Sequence, residues 1–235
     1  ALMLVTADLH NHSCLSPCGS LEMSPRRIAR TARTRSIDVL ALTDHNSHRN
    51  LPAFRTCCFE EGILPIFGME ITSAEEAHIL ALFGELPRAV EMGELVESHL
   101  PLISPGASSF GDQVYVDEDE MILGESDRAL FAATDLSVDS LVEEIHRRGG
   151  MVIPAHLDRM AFSLVMQLGF LPDLDYDAVE CVDPNCEIDT RGYIPITNSD
   201  AHYPEDIGRR PSTYQMPELS WEALREALRS RRPAT

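Results

Sequence analysis

Hydrophobic residues in this chain fall into short runs, separated by stretches in which apolar and polar residues alternate at helical spacing. The runs have the length of buried strands, and the stretches between them have the period of helices that pack one face against a core. The predicted strands are residues 2–9, 37–43, 63–71, 77–83, 151–155, 178–182 and 193–197, and the predicted helices are residues 51–61, 137–148, 162–168 and 221–231, with a further helix that begins at Ser24-Pro25.

Short strands that alternate with helices predict an α/β fold with a parallel sheet. Because about seven or eight such units follow one another, a barrel is favoured over an open sheet. Residues 86–135 interrupt the pattern, since they are acidic, contain several prolines and glycines, and include a predicted hairpin at 113–123. We interpret them as an insertion that caps the active site of a single barrel domain spanning residues 1–235.

The composition narrows the classes of function. The chain has 235 residues with 38 acidic and 19 basic side chains, a net charge of −19, and every base is arginine. The lack of lysine excludes Schiff-base chemistry and a P-loop, and the negative charge argues against a general binder of nucleic-acid backbones. No apolar run approaches the roughly 20 residues that span a bilayer. Six cysteines without a secretory leader predict reduced thiols and a cytoplasmic protein.

Potential metal ligands lie where the predicted strands end. His10 and His12 follow the first strand, and Asp200 and His202 follow the last one. Residues two apart in an extended chain point to the same side, so each pair can reach one ion. In parallel α/β barrels the carboxyl ends of the strands meet at one mouth, where active sites lie.

Other strands carry the same kinds of side chain. His45 follows the second strand, Glu70 lies near the end of the third, and His156 follows the fifth, whereas His78 lies near the start of its strand. Imidazole and carboxylate together suit zinc, iron or manganese. The sequence therefore predicts a multinuclear metal site, and the remaining three histidines are interpreted as structural.

Six short motifs resemble those of the polymerase-and-histidinol-phosphatase (PHP) domain family, in the family's order and across nearly the whole chain. The motifs are DLHNHS at 8–13, TDH at 43–45, GMEI at 68–71, AHIL at 77–80, PAH at 154–156 and SDAH at 199–202. The resemblance implies a distorted seven-stranded TIM-like barrel, two to three divalent ions and hydrolysis of a phosphoester. Carried over by position, the ligands are His10, His12, Glu70 and Asp200 for the first ion, Glu70, His78 and His156 for the second, and His45 and His202 for the third.

The third ion needs one more ligand, and here the chain departs from the family. Family members usually have His or Asp a few residues after the first motif, whereas this chain reads SCLSPCG at 13–19, so Cys18 is the nearest candidate. One reading is that Cys18 binds the third ion, which would favour zinc or iron over manganese. The other is that Cys18 is inert and the third site is weak or empty.

The predicted mechanism uses a water that bridges the ions and attacks phosphorus in line. Metal coordination lowers the pKa of water from 15.7 toward about 7, which makes hydroxide available. The residues assigned to catalysis are Glu70, Asp200 and His202, and those assigned to phosphate binding are Arg159 and Arg209. Asp8 and Asp44 adjoin ligand histidines and are predicted to orient them.

The acidic insertion bears on the substrate, because it would repel a long polyanion. We therefore expect a small phosphorylated substrate, such as a nucleotide, an amino-alcohol phosphate or a sugar phosphate, and no nucleic-acid polymer. Two alternatives stay open at this point. The same ligands suit a metal-dependent amidohydrolase that cleaves a C–N bond, and they also suit a non-catalytic metal-binding module.

Overall fold

The computed structural model describes residues 1–103 and 111–233, and it consists of a curled six-stranded sheet, a two-stranded hairpin and surrounding helices. The strands are β1 (Met3–Asp8), β2 (Val39–Leu42), β3 (Leu64–Thr72), β4 (His78–Phe83), β5 (Val114–Val116), β6 (Ile122–Glu125), β7 (Met151–Pro154) and β8 (Ser212–Met216). The helices are α1 (Pro25–Thr34), α2 (Leu51–Glu60), α3 (Leu86–Ser98), α4 (Val138–Arg147), α5 (Leu164–Leu168) and α6 (Trp221–Arg229), with a 3₁₀ turn at Pro204–Asp206.

The sheet has the order β7-β4-β3-β2-β1-β8 and is mixed. β1, β2 and β3 are parallel neighbours, whereas β4 is antiparallel to β3, β7 to β4, and β8 to β1. The predicted barrel-like α/β fold is confirmed, but the expectation of a parallel sheet holds for three strands alone. The reason is the short turn between β3 and β4, which leaves no room for the crossover of a dozen or more residues that a parallel neighbour needs.

Two predicted strands are absent from the sheet, and one unpredicted strand is present. Residues 178–182 and 193–197 are irregular segments joined by one parallel bridge between Glu180 and Ile196. β8 buries Tyr214 and Met216 on one side and exposes Thr213 and Gln215 on the other. Such a short, half-buried strand gives a weak apolar pattern, which explains why the sequence did not predict it.

The central strands have apolar residues on both faces, since one face packs inside the barrel and the other packs against the helices. All four residues of β2 are buried. Val39 and Ala41 pack inside the barrel with Ile66, whereas Leu40 and Leu42 pack in the outer core beneath the helices. Strands covered on both faces read as continuous apolar runs, so the chemistry-bearing residues stand out at their ends.

Local capping fixes the starts of the helices. Ser24 Oγ accepts a hydrogen bond from Arg27 N at 3.0 Å, with Pro25 at the first helical position of α1. Ser137 caps α4 through Ser140 N at 3.2 Å. Both helix starts agree with the sequence prediction. Among the described residues, no helix has the length and apolar character needed to cross a membrane.

The segment predicted as an insertion begins with a regular helix, α3, which packs on β3 and β4. The predicted hairpin is present as β5 and β6, and its acidic turn lies against the start of α1. Arg26 Nε donates to Glu118 O at 2.6 Å, and Ser24 Oγ donates to Glu120 Oε1 at 2.5 Å. The acidic turn is thus tied to α1, while residues 104–110 of the segment lie outside the described part.

Candidate metal centre

The centre lies where β1, β2 and β3 end, with contributions from two loops that reach the same place. A bridge joins His45 to Glu70, and another joins Asn11 to Ala201 in the last loop. His156 has φ of 30° and Asp200 has φ of 48°, so both depart from extended geometry in the left-handed region. Non-glycine residues hold such conformations at a cost of about 1–3 kcal/mol, and they cluster at functional sites.

Four side chains form the first cluster, which has the ligands expected for the first ion. His10 Nε2 lies 3.3 Å from Glu70 Oε2 and 3.2 Å from Asp200 Oδ1. His12 Nε2 lies 3.1 Å and 3.2 Å from the same two oxygens, and 3.2 Å from His10 Nε2. All four side chains are buried.

Glu70 also belongs to a second cluster through its other oxygen. Glu70 Oε1 lies 2.8 Å from His78 Nδ1 and 3.0 Å from His156 Nε2, and these two ring nitrogens are 3.3 Å apart. One carboxylate thus faces both clusters, with one oxygen in each. His78 lies at the first position of β4, which runs away from the centre because β4 is antiparallel to β3. Its unusual place at the start of a strand therefore brings it to the same mouth.

A third group of imidazoles lies beside the first cluster. His12, His45 and His202 each offer a nitrogen within 4.8 Å of the others, and His45 Nδ1 is also 3.3 Å from Glu70 Oε2. Cys18 lines the same cavity as His45 and His202 but is not part of this group of mutually close ligand atoms. The structure brings together all eight predicted histidine and carboxylate ligands and places Cys18 at their edge.

The donor set fits divalent metal ions. With bonds of about 2.1 Å, neighbouring ligand atoms around one ion lie about 3.0–3.4 Å apart. The distances in the first Glu70 cluster fall in this range, and those in the second run from 2.8 Å to 3.3 Å. Asp200 Oδ1 is buried and faces the ring nitrogens of His10 and His12 at 3.2 Å, but among the described residues none of these contacts has the geometry of a hydrogen bond. Because buried acceptors are nearly always satisfied, this oxygen requires a further partner, and a cation supplies one.

Charges within the centre favour anionic carboxylates. Burial alone would raise the pKa of Glu70, but the surrounding histidines hold it well below its usual range. Asp200 has a lowered pKa for the same reason, with His10 and His12 as its largest stabilising neighbours. Conversely, burial would lower the pKa of His12, but Asp200 and Glu70 raise it to about 9. Both carboxylates are therefore in the form that binds cations at neutral pH.

A second carboxylate, Glu180, orients the ligands and was not predicted from the sequence. Both of its oxygens lie 3.0 Å from His10 Nδ1, and Oε1 accepts the backbone N–H of His156 at 3.0 Å. Asn198 Nδ2 donates to Oε2 at 2.7 Å. Such a partner fixes which ring nitrogen faces the ion. The one signal of Glu180 in the sequence is an acidic residue in the middle of the apolar run at 178–182, which the pattern alone did not separate from a surface glutamate.

The two aspartates predicted to orient histidines act less directly. Asp44 Oδ1 accepts from Ser16 Oγ at 2.7 Å, and Ser16 Oγ lies 3.0 Å from His12 Nδ1, so Asp44 reaches His12 through a hydroxyl. Asp8 contacts no imidazole in the described part of the chain. It accepts from Ser199 N at 2.9 Å and therefore holds the backbone next to Asp200.

The predicted phosphate-binding arginines lie in different surroundings. Arg159 lines the cavity, and its Nη1 is 2.6 Å from Asp200 Oδ2. Arg209 is not brought into the cavity, because its Nε donates to Ser199 O at 2.9 Å and its Nη1 pairs with Asp206 at 3.0 Å. Arg159 is thus the one of the two that can meet a ligand at the centre.

The centre opens into a cavity of about 340 Å³. Its wall contains Phe131 and Phe162, and the ring of Phe162 stacks on His78 with centroids 4.6 Å apart. Met160, which follows Arg159, is 84% exposed, and Tyr203, which follows His202, is also exposed. Apolar and aromatic surfaces therefore surround the polar centre.

Comparison with known proteins supports the same assignment. The model of the PHP domain matches residues 8–180, and that of the PHP-associated region matches residues 188–233. This chain belongs to the PHP domain family. The metal-dependent hydrolase class predicted from the sequence is confirmed by membership of this family.

Relatives of this PHP chain include an uncharacterised protein of Methanocaldococcus jannaschii, 32% identical over 102 residues, which cover 39% of this chain and 58% of that protein. The lesion-specific endonuclease Q of Pyrococcus furiosus superposes with a TM-score of 0.72 at 20% identity, over 97% of this chain and 56% of that one. A predicted metal-dependent phosphoesterase of Bifidobacterium adolescentis superposes with a TM-score of 0.57 at 17% identity, over 94% and 95% of the two chains. The PHP chain spans little more than half the length of the first two.

One expectation about partners is wrong. Endonuclease Q in complex with a 27-mer duplex, which carries an abasic lesion at the active site, has the same fold with a TM-score of 0.71 at 19% identity, over 97% of this PHP chain and 57% of the other. The fold therefore does not exclude a nucleic-acid polymer, and the preference for a small phosphorylated substrate loses its basis. The structure shows why the acidic turn does not decide the substrate. Residues 117–120 are hydrogen-bonded to Arg26 and Ser24 at the start of α1, and they do not line the cavity at the metal centre.

Proposed function

We propose that this chain hydrolyses a phosphodiester bond of a nucleic acid at the Glu70 centre, with two to three zinc, iron or manganese ions as cofactors. The observation that carries the proposal is the position of Glu70, whose two oxygens face two separate clusters of imidazoles. A carboxylate shared in this way suits a site with more than one ion, which is typical of phosphoester hydrolysis. We further propose a cytoplasmic location, in keeping with six cysteines that form no disulfide among the described residues.

Each side chain has a proposed role. Glu70 and Asp200 would hold the ions together with the histidines of the first and second clusters, and bound ions would supply an acidified water and positive charge against phosphate oxygens. His202 Nδ1 lies 3.0 Å from the carbonyl oxygen of Asp200. Donation to that carbonyl leaves the lone pair on Nε2 free for an ion, with Cys18 at the edge of the same position. Arg159 turns from Asp200 to a phosphate oxygen when substrate enters.

The surroundings of the cavity support a polymeric substrate with bases. Exposed Met160 and Tyr203 flank the loops that carry Arg159 and His202. Nucleobases stack on aromatic side chains such as Tyr203 with about 1–3 kcal/mol per base and with little dependence on sequence. The capping role of the segment at 86–135 remains part of this proposal.

A panel of substrates tests the assignment. Protein loaded separately with zinc, iron and manganese is incubated with a labelled duplex containing one abasic site, the undamaged duplex, its single strand, bis(p-nitrophenyl) phosphate, a nucleoside monophosphate and a p-nitroanilide. We expect cleavage of at least one nucleic acid and of the simple diester, with competitive inhibition by inorganic phosphate.

Asp200→Asn, purified in the same way, is the control for contaminating nucleases and should lack this activity. Turnover of the anilide alone would instead indicate a C–N hydrolase. Turnover of the monophosphate alone would indicate a phosphatase, and either result contradicts the proposal.

A further inference from the structure

Two cysteines and an aspartate come together away from the metal centre. The Sγ atoms of Cys181 and Cys186 are 3.0 Å apart. A carboxylate oxygen of Asp158 lies with them, so that all three potential ligand atoms are within 4.8 Å of one another. Cys181 is buried, and the other two residues are half-buried. We refer to these residues as the Asp158–Cys181–Cys186 cluster.

The backbone builds this cluster without help from an ion. Val182 N donates to Asp158 Oδ1 at 2.7 Å, and Asp183 N donates to Asp158 Oδ2 at 2.8 Å. Cys186 N donates to Asp183 O at 3.1 Å, which closes a turn that returns the Cys186 thiol to Cys181. The three side chains are therefore preorganised, which lowers the entropic cost of binding a ligand.

The cluster lies on the opposite side of its segment from the metal centre. Glu180 points inward, where its carboxylate meets His10, whereas the next residue, Cys181, packs in the outer core beneath the helices. Successive residues of an extended segment point to opposite sides, which explains the separation. None of the three cluster residues lines the catalytic cavity.

We propose that the Asp158–Cys181–Cys186 cluster binds one thiophilic divalent ion, such as Zn²⁺, through two thiolates and one carboxylate oxygen, with water in the fourth position. Binding releases the two thiol protons. Sulfur and carboxylate ligands in a four-coordinate arrangement are typical of zinc, and the cluster is in contact with solvent through half-buried Asp158 and Cys186. Arg159, next to Asp158, pairs with Asp200 instead, so this neighbouring cation does not occupy the cluster.

This site would connect to the metal centre through the chain. An ion that fixes Asp158 also fixes the loop that carries Arg159 into the cavity, and an ion on Cys181 fixes the residue next to Glu180. The bound ion would thus restrict the motion of Arg159, which binds substrate in our proposal, and of Glu180, which orients metal ligands. The proposal does not depend on phosphodiester hydrolysis.

Cobalt titration of reduced, metal-free protein tests the site, because thiolate ligands give a charge-transfer absorption in the near ultraviolet that histidine and carboxylate ligands do not give. We expect a saturable thiolate–cobalt absorption whose amplitude corresponds to one thiolate-bound ion per chain, in addition to the ions that bind the Glu70 centre, and which Zn²⁺ displaces. Cys181→Ser and Cys186→Ser should each remove most of it, and Asp158→Asn should raise the apparent Kd by about tenfold. Circular dichroism melting of each variant checks the fold.

Two controls separate this site from the metal centre. Cys18→Ser removes the thiol of the catalytic cavity, and Glu70→Gln disrupts the centre, and both should keep the thiolate absorption. In the unmutated protein, Zn²⁺ should protect Cys181 and Cys186 from alkylation, as read by mass spectrometry, even if the serine variants fail to fold. Absence of the absorption, its loss in Cys18→Ser, its survival in both serine variants, or a Cys181–Cys186 disulfide in place of metal protection would overturn the proposal.

Discussion

Two groups of polar side chains in this molecule, one around Asp177 and one at the metal centre, differ in whether their buried polar atoms have hydrogen-bond partners within the protein. In the first, Asp177 is fully buried and accepts from His146 Nε2 at 2.9 Å, Val152 N at 2.9 Å and Arg229 Nε at 2.5 Å. In the second, the metal centre, ring nitrogens face each other, as His10 Nε2 and His12 Nε2 do at 3.2 Å. Both carboxylate oxygens of Asp177 accept hydrogen bonds from the protein. At the metal centre, the carboxylate oxygens and ring nitrogens that can act as acceptors outnumber the hydrogen-bond donors around them.

We infer from this difference that the Asp177 group stabilises the fold, whereas the metal centre serves function. Asp177 joins the last turn of α4, strand β7 and the last turn of α6, so it ties the C-terminal helix to the barrel. A closed network of this kind is complete without a ligand. The metal centre is complete once cations lie between its ligands, so its substitutions should change binding and catalysis before they change folding.

The largest expected effect on activity is that of substituting Glu70 at the metal centre. Glu70→Gln removes the charge shared by both clusters and should lower kcat/KM on a cleaved substrate by about a thousandfold or more. Bound metal, measured by plasma mass spectrometry, should fall with it, while the melting temperature of the metal-free protein stays close to that of the unmutated chain. Full activity at normal metal content would contradict the role of Glu70.

The converse substitution is Asp177→Asn. We expect the free energy of unfolding at neutral pH to fall by about 2 kcal/mol, because the half-buried guanidinium of Arg229 and the backbone amide of Val152 lose their charged partner. Burial would raise the pKa of Asp177, but its hydrogen bonds to His146, Val152 and Arg229 outweigh burial and lower it.

The stabilisation by Asp177 should therefore be present above the ordinary aspartate pKa of about 3.9 and be lost as the pH falls through the lower folded value. Urea unfolding of both proteins across this pH range measures the difference. The metal content of folded Asp177→Asn should equal that of the unmutated chain. If it fell as it does in Glu70→Gln, the two groups would not be independent.

Glu180 combines features of both groups. It is a buried carboxylate with hydrogen-bond partners in the protein, as Asp177 is, and it also orients ligands of the metal centre. Glu180→Gln keeps the shape but removes the charge behind His10, and metal affinity should fall by about 10–100-fold. Competition with a chelator of known affinity measures the change. An affinity equal to that of the unmutated chain would make Glu180 a purely structural residue.

The smallest expected effect concerns substrate contact. Arg159→Ala should raise KM for a phosphoester by about tenfold with a smaller change in kcat, because one charged contact to phosphate is lost. Arg191→Ala is the matched control, since Arg191 pairs with exposed Asp173 and is not a cavity residue. Steady-state kinetics of both variants with the same metal decide the point, and equal KM values would remove Arg159 from substrate binding.

Much of the centre could be predicted from the sequence because its ligands follow strand ends. A buried apolar run followed by His or Asp is a local signal, as in DLHNHS after β1 and PAH after β7. The helix starts at Ser24 and Ser137 are equally local, since a cap bonds to an amide three residues away. The sequence therefore determined which residues offer ligand atoms and where the chain leaves its strands.

Tertiary structure alone decided how these pieces meet. His10 and Glu180 are 170 residues apart along the chain, and no periodicity links them. The antiparallel placement of β4, which brings His78 to the mouth, depends on pairing with β3 and β7. Whether an arginine such as Arg209 faces the cavity or holds a backbone carbonyl depends on neighbours from distant segments. Short-range patterns fix local conformation and burial, whereas the partners of a buried polar group are set by the packing of the whole chain.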